Sequence, residues 1–459
     1  MSETAAPERE GFLQRRLALP DMRGNRKMVN AAVIDSIGSG LILAFILVYF
    51  AKTTDLSLPA IGGALTLARF LAVPTAMVVG PLIDRWGARV VALLGNVISA
   101  VGYAGFLLAD DLWQIVVVAF LTQVGGAAYW TSSSGLVVLA STPERRPRWF
   151  ALLHMLRNSG LGLGGALGAL LVGFDGTTGL KLLVVANAAS YLVAALLLAL
   201  WRPPLAAVQA AARQKEEQER KMQRQEGVED AAKPKAKGGY GTVLRDKRYM
   251  LLVGININFV FAALVLSLLI AVFVTEGLGQ AAWIGGVLLV LNSVQVAATQ
   301  TLVNRRLERY RPIRVIAAGS LINALAFGIF AALGLAPAWA AVVGLFVAMV
   351  LYNFAETAAT PFSEDLSVSL APEHLRGRYL AVYQLSWTFG QTVAPLLLTL
   401  LLDLGAAWPW VFLMALGLLA VPALLLLERM VEAAKPKQNE GDAGQGSTGA
   451  DALQAAPAV

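Results

Sequence analysis

The sequence predicts an all-α protein that crosses a lipid bilayer twelve times. Of its 459 residues, 57% are hydrophobic and only 15% are charged, whereas soluble domains carry about 25% charged residues. The apolar runs are about 20 residues long, which suits a membrane-spanning helix and exceeds the roughly 10-residue strand of a membrane barrel. Because lipid offers the backbone no hydrogen bonds, each run must satisfy its own polar groups as a helix. We therefore predict a polytopic membrane protein.

The predicted spans fall into two groups of six, separated by a charged stretch. The first group comprises residues 28–50, 59–81, 89–109, 113–140, 149–173 and 179–201. The second group comprises residues 249–274, 281–303, 312–334, 338–362, 377–402 and 408–427. The predicted domains are a cytoplasmic N-terminal segment 1–27, a six-helix bundle 28–201, a cytoplasmic linker 202–248, a six-helix bundle 249–430 and a disordered cytoplasmic tail 431–459.

Basic residues accumulate on one side of the predicted membrane. With the N-terminus inside, the outer loops hold only Lys52 and Lys181 among the basic residues, and Arg69 and Arg157 fall within spans. These two loop residues and two span residues leave 33 of the 37 Lys and Arg residues on the inner side. Because basic loops stay in the cytoplasm, we predict that both termini and the linker are cytoplasmic and that the protein resides in the plasma membrane. The net charge of +7 follows from these loops and does not indicate a nucleic-acid partner.

The stretch GPLIDRWGAR, Gly80 to Arg89, joins the second and third predicted spans as a short charged loop. Pro81 is expected to end or kink the incoming helix, and Asp84 can cap a nearby helix N-terminus, where the dipole favours anions. The loop resembles the signature loop of the major facilitator superfamily, roughly G-x-x-x-D-R-x-G-R-R. Ala88 departs from that pattern, and the matching residues are Gly80, Asp84, Arg85, Gly87 and Arg89. The resemblance implies a secondary transporter whose inner gate is held closed by this loop.

The two groups of spans repeat each other in sequence. The run from Arg146 to Ala151 in the first half and the run from Arg376 to Ala381 in the second share Arg, Arg and Ala at an offset of 230 residues. Residues 304–314 occupy the position of the Asp84 loop. Two six-helix halves joined by a linker form the layout expected for alternating access around a site at the membrane midplane.

The fifth predicted span is rich in glycine. Gly160, Gly164 and Gly168 lie four residues apart and so share one helix face, and Gly165 adjoins it. Small residues on one face allow close helix approach. The stretch is similar to the fifth-helix glycine motif of family antiporters, without that motif's proline. It is interpreted either as a pliable contact where the halves rock or as ordinary small-residue packing.

Ionisable residues within the predicted spans are the candidates for coupling, because placing one in the bilayer costs at least ~2.5 kcal/mol. Asp35 and Glu356 each lie about eight residues from the inner end of their predicted spans, or ~12 Å deep. We predict that both carry protons; the alternatives are an ion pair of Asp35 with Arg157 and a hydrogen bond of Glu356 with Asn353. The basic residues Arg69 and Arg157 are interpreted as ion-pair partners or substrate contacts. His154 is expected to be a polar helix-end residue.

The superfamily resemblance implies a central cavity between the halves, lined in part by the first and tenth helices. We expect about half of the polar and aromatic residues on the cavity helices to face it, the others bonding across helix seams. The candidates are Gln123, Tyr129, Trp130, Asn256, Asn258, Gln295, Asn353, Tyr383, Gln384 and Trp387. An apolar pocket with a few amides and aromatic rings suits an amphipathic or aromatic ligand.

Several classes of function lack support in the sequence. With no cysteine and two histidines, it shows no metal-ligand cluster, thiol nucleophile or catalytic triad, and it has no G-x-x-x-x-G-K-[ST] loop. We therefore predict no enzyme activity, no cofactor and no metal. The resemblance is closest to bacterial drug:proton antiporters of the inner membrane. One departure is that Ala119 to Trp130 in the fourth helix lacks the arginine those antiporters often carry.

The expected function is proton-coupled efflux of small amphipathic or drug-like molecules by a monomer in the lipid bilayer. Three alternatives remain open at this point. They are import of a small nutrient by the same fold, lipid flipping by the same fold, and a non-transporting sensor or assembly role that uses the 202–248 linker.

Overall fold

A computed structural model of the protein describes residues 19–43, 45–174, 176–204 and 239–433. Within these ranges the regular secondary structure is helical throughout. Ten helices are long and apolar enough to cross a membrane, and two bent helix pairs bring the number of candidate spans to twelve. Residues 1–18, most of the predicted linker and the predicted tail beyond residue 433 lie outside the described residues.

The six spans of the first half begin and end close to the predicted positions. Span 1 consists of Arg26–Leu43 and Ile46–Thr53, which meet at 51°. Span 2 consists of Leu58–Ala72 and Thr75–Trp86, which meet at 43°. Spans 3 to 6 are Ala88–Phe106, Leu112–Ala140, Arg146–Phe174 and Gly176–Leu200.

The second half is preceded by a short helix, Tyr240–Arg245, that packs against spans 7 and 11. Span 7 is Lys247–Leu268, continued by Ile270–Val272 and a π-helical turn Phe273–Gly277. Spans 8 to 12 are Ala282–Leu307, Pro312–Ala332, Ala338–Ser369, Arg376–Leu404 and Trp408–Ala433. The prediction of twelve helices in two halves is thus confirmed.

The predicted loop between spans 2 and 3 was too long. Span 2 continues through Pro81 to Trp86, and the chain turns only at Gly87, whose φ is +83°. A proline inside a helix frees the carbonyl four residues earlier, here that of Met77. The hydroxyl of Tyr240 donates a hydrogen bond to this Met77 carbonyl, so the helix continues without an unsatisfied group. Partial burial raises the pKa of Tyr240 to about 12, which keeps this donor protonated at physiological pH.

Span 10 was predicted to end at residue 362 and instead extends to Ser369. It contains Pro361, which frees the carbonyl of Thr357. The side-chain Nε2 of Gln300, on span 8, donates to that carbonyl at 3.0 Å. Because a neighbouring helix supplies the missing donor, the proline does not end the span.

The glycine face of span 5 packs against span 1 inside the first half. A Cβ atom on Gly160 would lie 2.7 Å from the Cβ of Ser36, and one on Gly164 would collide with the carbonyl oxygen of Ile37. Gly168 likewise faces the backbone of Leu41. The close approach of these two helices therefore depends on the absence of side chains along this face.

Successive spans alternate in direction, so their connections alternate between two ends of the bundle. We call one of them the basic end, because it carries Arg85, Arg89, Arg145, Arg305 and Arg306. The opposite, acidic end carries Asp55, Asp110, Asp111 and Asp403. The two halves meet mainly where span 2 packs on span 11 and span 5 on span 8; span 4 also contacts spans 10 and 11, and span 5 also contacts span 10.

We predict that Gly164→Val lowers the stability of the protein, whereas Gly162→Val does not. The buried Gly164 faces the backbone of span 1, while Gly162 is exposed and a Cβ there meets nothing within 4 Å. Both variants add the same β-branched side chain to the same helix, so their difference reports packing alone. We expect a loss of about 1–3 kcal/mol for Gly164→Val, measured as the thermal unfolding midpoint of detergent-purified protein. Equal midpoints for the two variants would contradict this account.

Candidate functional site

A cavity of about 210 Å³ lies between the two halves. Its wall is built mainly by spans 1, 4 and 5 of the first half and spans 7, 10 and 11 of the second, with Asn323 of span 9. The lining combines aromatic rings with hydroxyl, amide and charged groups. Such a cavity can hold a molecule that has both an apolar body and polar substituents.

Six of the ten cavity candidates line this space, and four lie elsewhere. Those on the wall are Tyr129, Trp130, Asn256, Tyr383, Gln384 and Trp387. Gln295 and Asn353 instead bond across the seam of spans 8 and 10, where Asn353 Nδ2 donates to Gln295 Oε1 at 3.0 Å. Asn258 is buried in span 7, and Gln123 lies on span 4 away from the cavity wall. The rotation of each helix about its axis therefore decides which candidates face the cavity and which lie between helices.

Arg157 of span 5 is the basic residue of the cavity. Its guanidinium carbon lies 3.8 Å from the ring centroid of Trp130, a cation–π contact. The side chain is exposed, and the surface that it exposes faces the cavity. Its charge interacts with three acids, Asp35 of the first half and Glu356 and Glu364 of the second. Arg69, the other basic residue predicted within a span, lies exposed on span 2 and outside this cavity.

Asp35 is buried inside the first half rather than on the cavity wall. Only 2% of its surface is exposed, and its Oδ1 atom has no hydrogen-bond partner among the described residues. Its neighbours on span 1, Ala32 and Ser36, do line the cavity. The carboxylate interacts electrostatically with Arg157, so it can influence the cavity without facing it.

Glu356 lines the cavity near the middle of span 10. Its Oε1 atom lies 3.7 Å from Nε2 of His154 on span 5, which places His154 on the cavity wall rather than at a helix end. Asn292 and Tyr352 are polar neighbours of the Glu356 carboxylate, and the Tyr352 hydroxyl donates to the backbone carbonyl of Ala262 at 3.2 Å. The hypothesis that Glu356 pairs with Asn353 was wrong, because Asn353 accepts from Asn292 at 2.7 Å and donates to Gln295.

Glu364 is a cavity acid that the sequence interpretation missed, because the predicted span 10 ended two residues before it. Ser134 Oγ, on span 4, donates to Glu364 Oε2 at 3.1 Å and so joins the two halves. A signal was present in the sequence: Glu356, Thr360 and Glu364 recur every four residues, which places them on one helix face. All three line the cavity.

Asp84 caps a helix of the other half at the basic end. Its carboxylate accepts the backbone N–H of Gly377 at 2.6 Å and Nη1 of Arg378 at 2.7 Å. Gly377 lies in the first turn of span 11, where backbone N–H groups lack helical partners and the dipole favours anions. The prediction that Asp84 can cap a helix N-terminus is therefore confirmed. A Cβ on Gly80 would lie 3.0 Å from Ala381 Cβ, so Gly80 permits the close approach of spans 2 and 11.

We call the contact of Asp84 with Gly377 and Arg378 the first clasp. A second clasp at the basic end is related to it by the internal repeat. Arg148 of span 5 donates from Nε and Nη2 to the carboxylate of Glu308 after span 8, at distances of 2.6–2.8 Å. Arg148 and Arg378 are the residues that repeat at an offset of 230, and Glu308 lies in the segment equivalent to the Asp84 loop. Each half thus contributes one arginine and one carboxylate. Charged bonds of this bidentate type are both strong and directional.

The remaining motif residues act within the first half. Arg89 donates from Nε and Nη2 to the carbonyls of Leu198 and Ala199 at 3.1 and 3.0 Å, which caps the C-terminal end of span 6. Arg85 is exposed, and Gly87 forms the turn. The motif therefore combines a contact between the halves with a local cap.

Comparison with known proteins supports this architecture. The family model for the Major Facilitator Superfamily matches residues 28–334 and again residues 269–456. The multidrug resistance protein MdtH of Klebsiella pneumoniae (strain 342) is 25% identical over 393 residues, which cover 84% of this chain and 90% of that protein. MdtH of Salmonella typhimurium is 24% identical over the same length and the same shares.

Solved structures share the fold with this chain. A bacterial homologue of the iron transporter ferroportin in an outward-facing state has a TM-score of 0.67 at 14% identity, covering 89% of this chain and 100% of that one. The human organic anion transporter MFSD10 has a TM-score of 0.62 at 16% identity, covering 88% and 100%. The E. coli fucose:proton symporter FucP has a TM-score of 0.65 at 14% identity, covering 88% and 97%.

We predict that Asp84→Asn opens the basic end. Asparagine keeps the size of the side chain but loses the charge that attracts Arg378 and the span 11 dipole. We expect the open fraction to rise about tenfold, which corresponds to roughly 1.4 kcal/mol. Because the chain has no cysteine, one cysteine introduced at each of the exposed positions Arg145 and Arg306 can carry a spin label. The distance between the two labels is then measured by electron paramagnetic resonance. A distance distribution identical to that of the parent protein would contradict the clasp.

We also predict that exchanging the charges of the second clasp restores closure. Arg148→Glu and Glu308→Arg each place like charges together and should lengthen the distance between the same two spin labels. The double variant keeps one charge of each sign, so it should return the short distance. A double variant as open as the two single variants would show that this ion pair does not hold the halves together.

Proposed function

The chain belongs to the major facilitator superfamily, and from this premise we propose that it exports small amphipathic molecules by proton-coupled alternating access. The observation that carries the proposal is a cavity between the halves in which Arg157, on the wall, interacts with a buried acid of the first half and with two wall acids of the second. The two clasps join the halves at the basic end, on one side of this cavity. A secondary transporter needs such a site and such a gate.

The clasps supply the inner gate of the proposed cycle. Basic loops face the cytoplasm, so the Asp84 and Arg148 clasps would close the cytoplasmic side while substrate leaves on the other side. All of the contacts between halves described above lie at the basic end or at the cavity. Opening towards the cytoplasm would require both clasps to break. Because the internal repeat gives the two clasps equivalent positions in the two halves, one movement of the halves would break both.

Arg157 is the proposed centre of proton coupling. Asp35 attracts it from the first half, while Glu356 and Glu364 attract it across the interface. Protonation of Glu356 would weaken the attraction between the halves, and protonation of Asp35 would free Arg157 to strengthen it. The arginine absent from the fourth helix of this chain would thus be replaced by Arg157, which stacks on Trp130 of that helix.

The wall of the cavity suits drug-like molecules. Aromatic rings from both halves, including Tyr129, Trp130 and Trp387, offer broad apolar contact that does not demand one substrate shape. The similarity to proteins named for multidrug resistance agrees with this choice of substrate. Export by the same fold differs from nutrient import only in the direction of flux, which an experiment must measure.

We predict that a pH gradient drives a lipophilic cation dye across the membrane of proteoliposomes that contain the protein. Asp35→Asn or Glu356→Gln should abolish this coupling. Each substitution removes a titratable carboxyl and preserves its shape. Asp403→Asn, at the exposed acidic end, serves as the matched control and should retain coupled flux. Coupled flux unchanged in both Asp35→Asn and Glu356→Gln would contradict the assigned carriers. Flux that ignores the gradient in the parent protein would contradict proton coupling.

A further inference from the structure

Span 2 contains a backbone carbonyl that its own helix cannot satisfy. Pro81 lies inside the span and has no N–H group, so the carbonyl of Met77, four residues earlier, lacks its helical donor. A carbonyl left unpaired at the edge of a membrane is costly, because little water reaches it. Span 2 therefore needs a donor from another element of the protein.

The donor comes from the second half of the chain. The hydroxyl of Tyr240 donates to the Met77 carbonyl. It lies against Gly80, where an added Cβ would be 2.5 Å from the hydroxyl oxygen. The phenol also interacts electrostatically with Asp84 and Arg378, so this bond adjoins the first clasp. The hydroxyl of Tyr240 thus crosses the same seam that the first clasp crosses.

The short helix that begins with Tyr240 is anchored in the second half. Val243 is fully buried among apolar side chains of that half. Asp246, directly after the helix, caps span 7 by accepting two backbone N–H groups of its first turn at 3.1 and 3.3 Å. The hydroxyl of Tyr379, on span 11, donates to the same carboxylate at 3.1 Å. The short helix must therefore follow the second half when the two halves separate.

We propose that Tyr240 is a positioning residue of the transport cycle, whose hydroxyl holds span 2 to the second half while the basic end is closed. This inference rests on the proposed function and adds a third contact to its inner gate, beside the two clasps. Opening carries the short helix away from span 2, so the carbonyl of Met77 exchanges the phenol for water. The end of the chain segment that joins the two halves thereby takes part in the gate.

The test measures the distance between the spin labels at positions 145 and 306 in purified full-length protein, without substrate or gradient. We expect Tyr240→Phe, which removes only the hydroxyl, to raise the open population about fivefold, the effect of one net hydrogen bond. Tyr379→Phe is the matched control. It removes a hydroxyl bond at the same end but within the second half, and should leave the distance distribution unchanged.

A second variant separates this bond from general packing. Pro81→Ala supplies the N–H group that the Met77 carbonyl lacks, so the carbonyl no longer depends on Tyr240. In the Pro81→Ala background, Tyr240→Phe should change the open population by less than about twofold, because the two substitutions act on one acceptor. An equal effect of Tyr240→Phe in both backgrounds would overturn the inference. A lower thermal unfolding midpoint for Tyr240→Phe with an unchanged distance distribution would also overturn it.

Failure of this inference is separable from failure of the proposed function, because the distance measurement does not require transport. Coupled dye flux in the parent protein, together with distances that Tyr240→Phe does not change, would remove the role of Tyr240 alone. The expected change in distance, together with no dye flux in the parent protein, would remove the transport proposal and leave Tyr240 as a contact that holds the halves closed.

Discussion

One carboxylate at a helix N-terminus sets the relation between the two halves. Asp84 accepts the backbone N–H of Gly377, in the first turn of span 11, together with the guanidinium of Arg378. A backbone N–H or a charged side chain is costly to leave unpaired near a membrane. These bonds therefore hold spans 2 and 11 together. The internal repeat then places Arg148 and Glu308 in a matching pair. The cavity lies between the halves that these two clasps hold together.

The same demand for satisfied backbone groups explains how two spans continue past an internal proline. Pro81 and Pro361 each lie inside a span, and each frees a carbonyl that another helix then bonds. Tyr240 donates to the carbonyl of Met77, and Gln300 donates to that of Thr357. Because span 10 continues past its proline, Glu364 enters the cavity. The position of this interior acid thus depends on a side-chain amide of a neighbouring span.

Burial divides the acids around Arg157 into two kinds. Asp35 is almost fully enclosed within the first half, whereas Glu356 and Glu364 face the cavity. In the proposed cycle this separation allows a proton on Asp35 to act through the charge of Arg157 without contact with substrate. The proposed cycle would thereby couple two ligands through their differential interaction with two states.

The sequence by itself determined the twelve helices, the two related halves and the capping role of Asp84. Hydrophobic length, an internal repeat and a spaced motif can each be recognised without knowing how the helices pack. It also placed Arg157 and Glu356 among the candidates, since a charge within an apolar run is conspicuous. Only the tertiary structure decided that Gln295 and Asn353 bond across a seam, and that Glu364 belongs to the cavity. The physical reason is that helix rotation and helix ends depend on neighbouring spans. At Pro361, for example, the side chain of Gln300, distant in sequence, donates to the carbonyl that the proline frees.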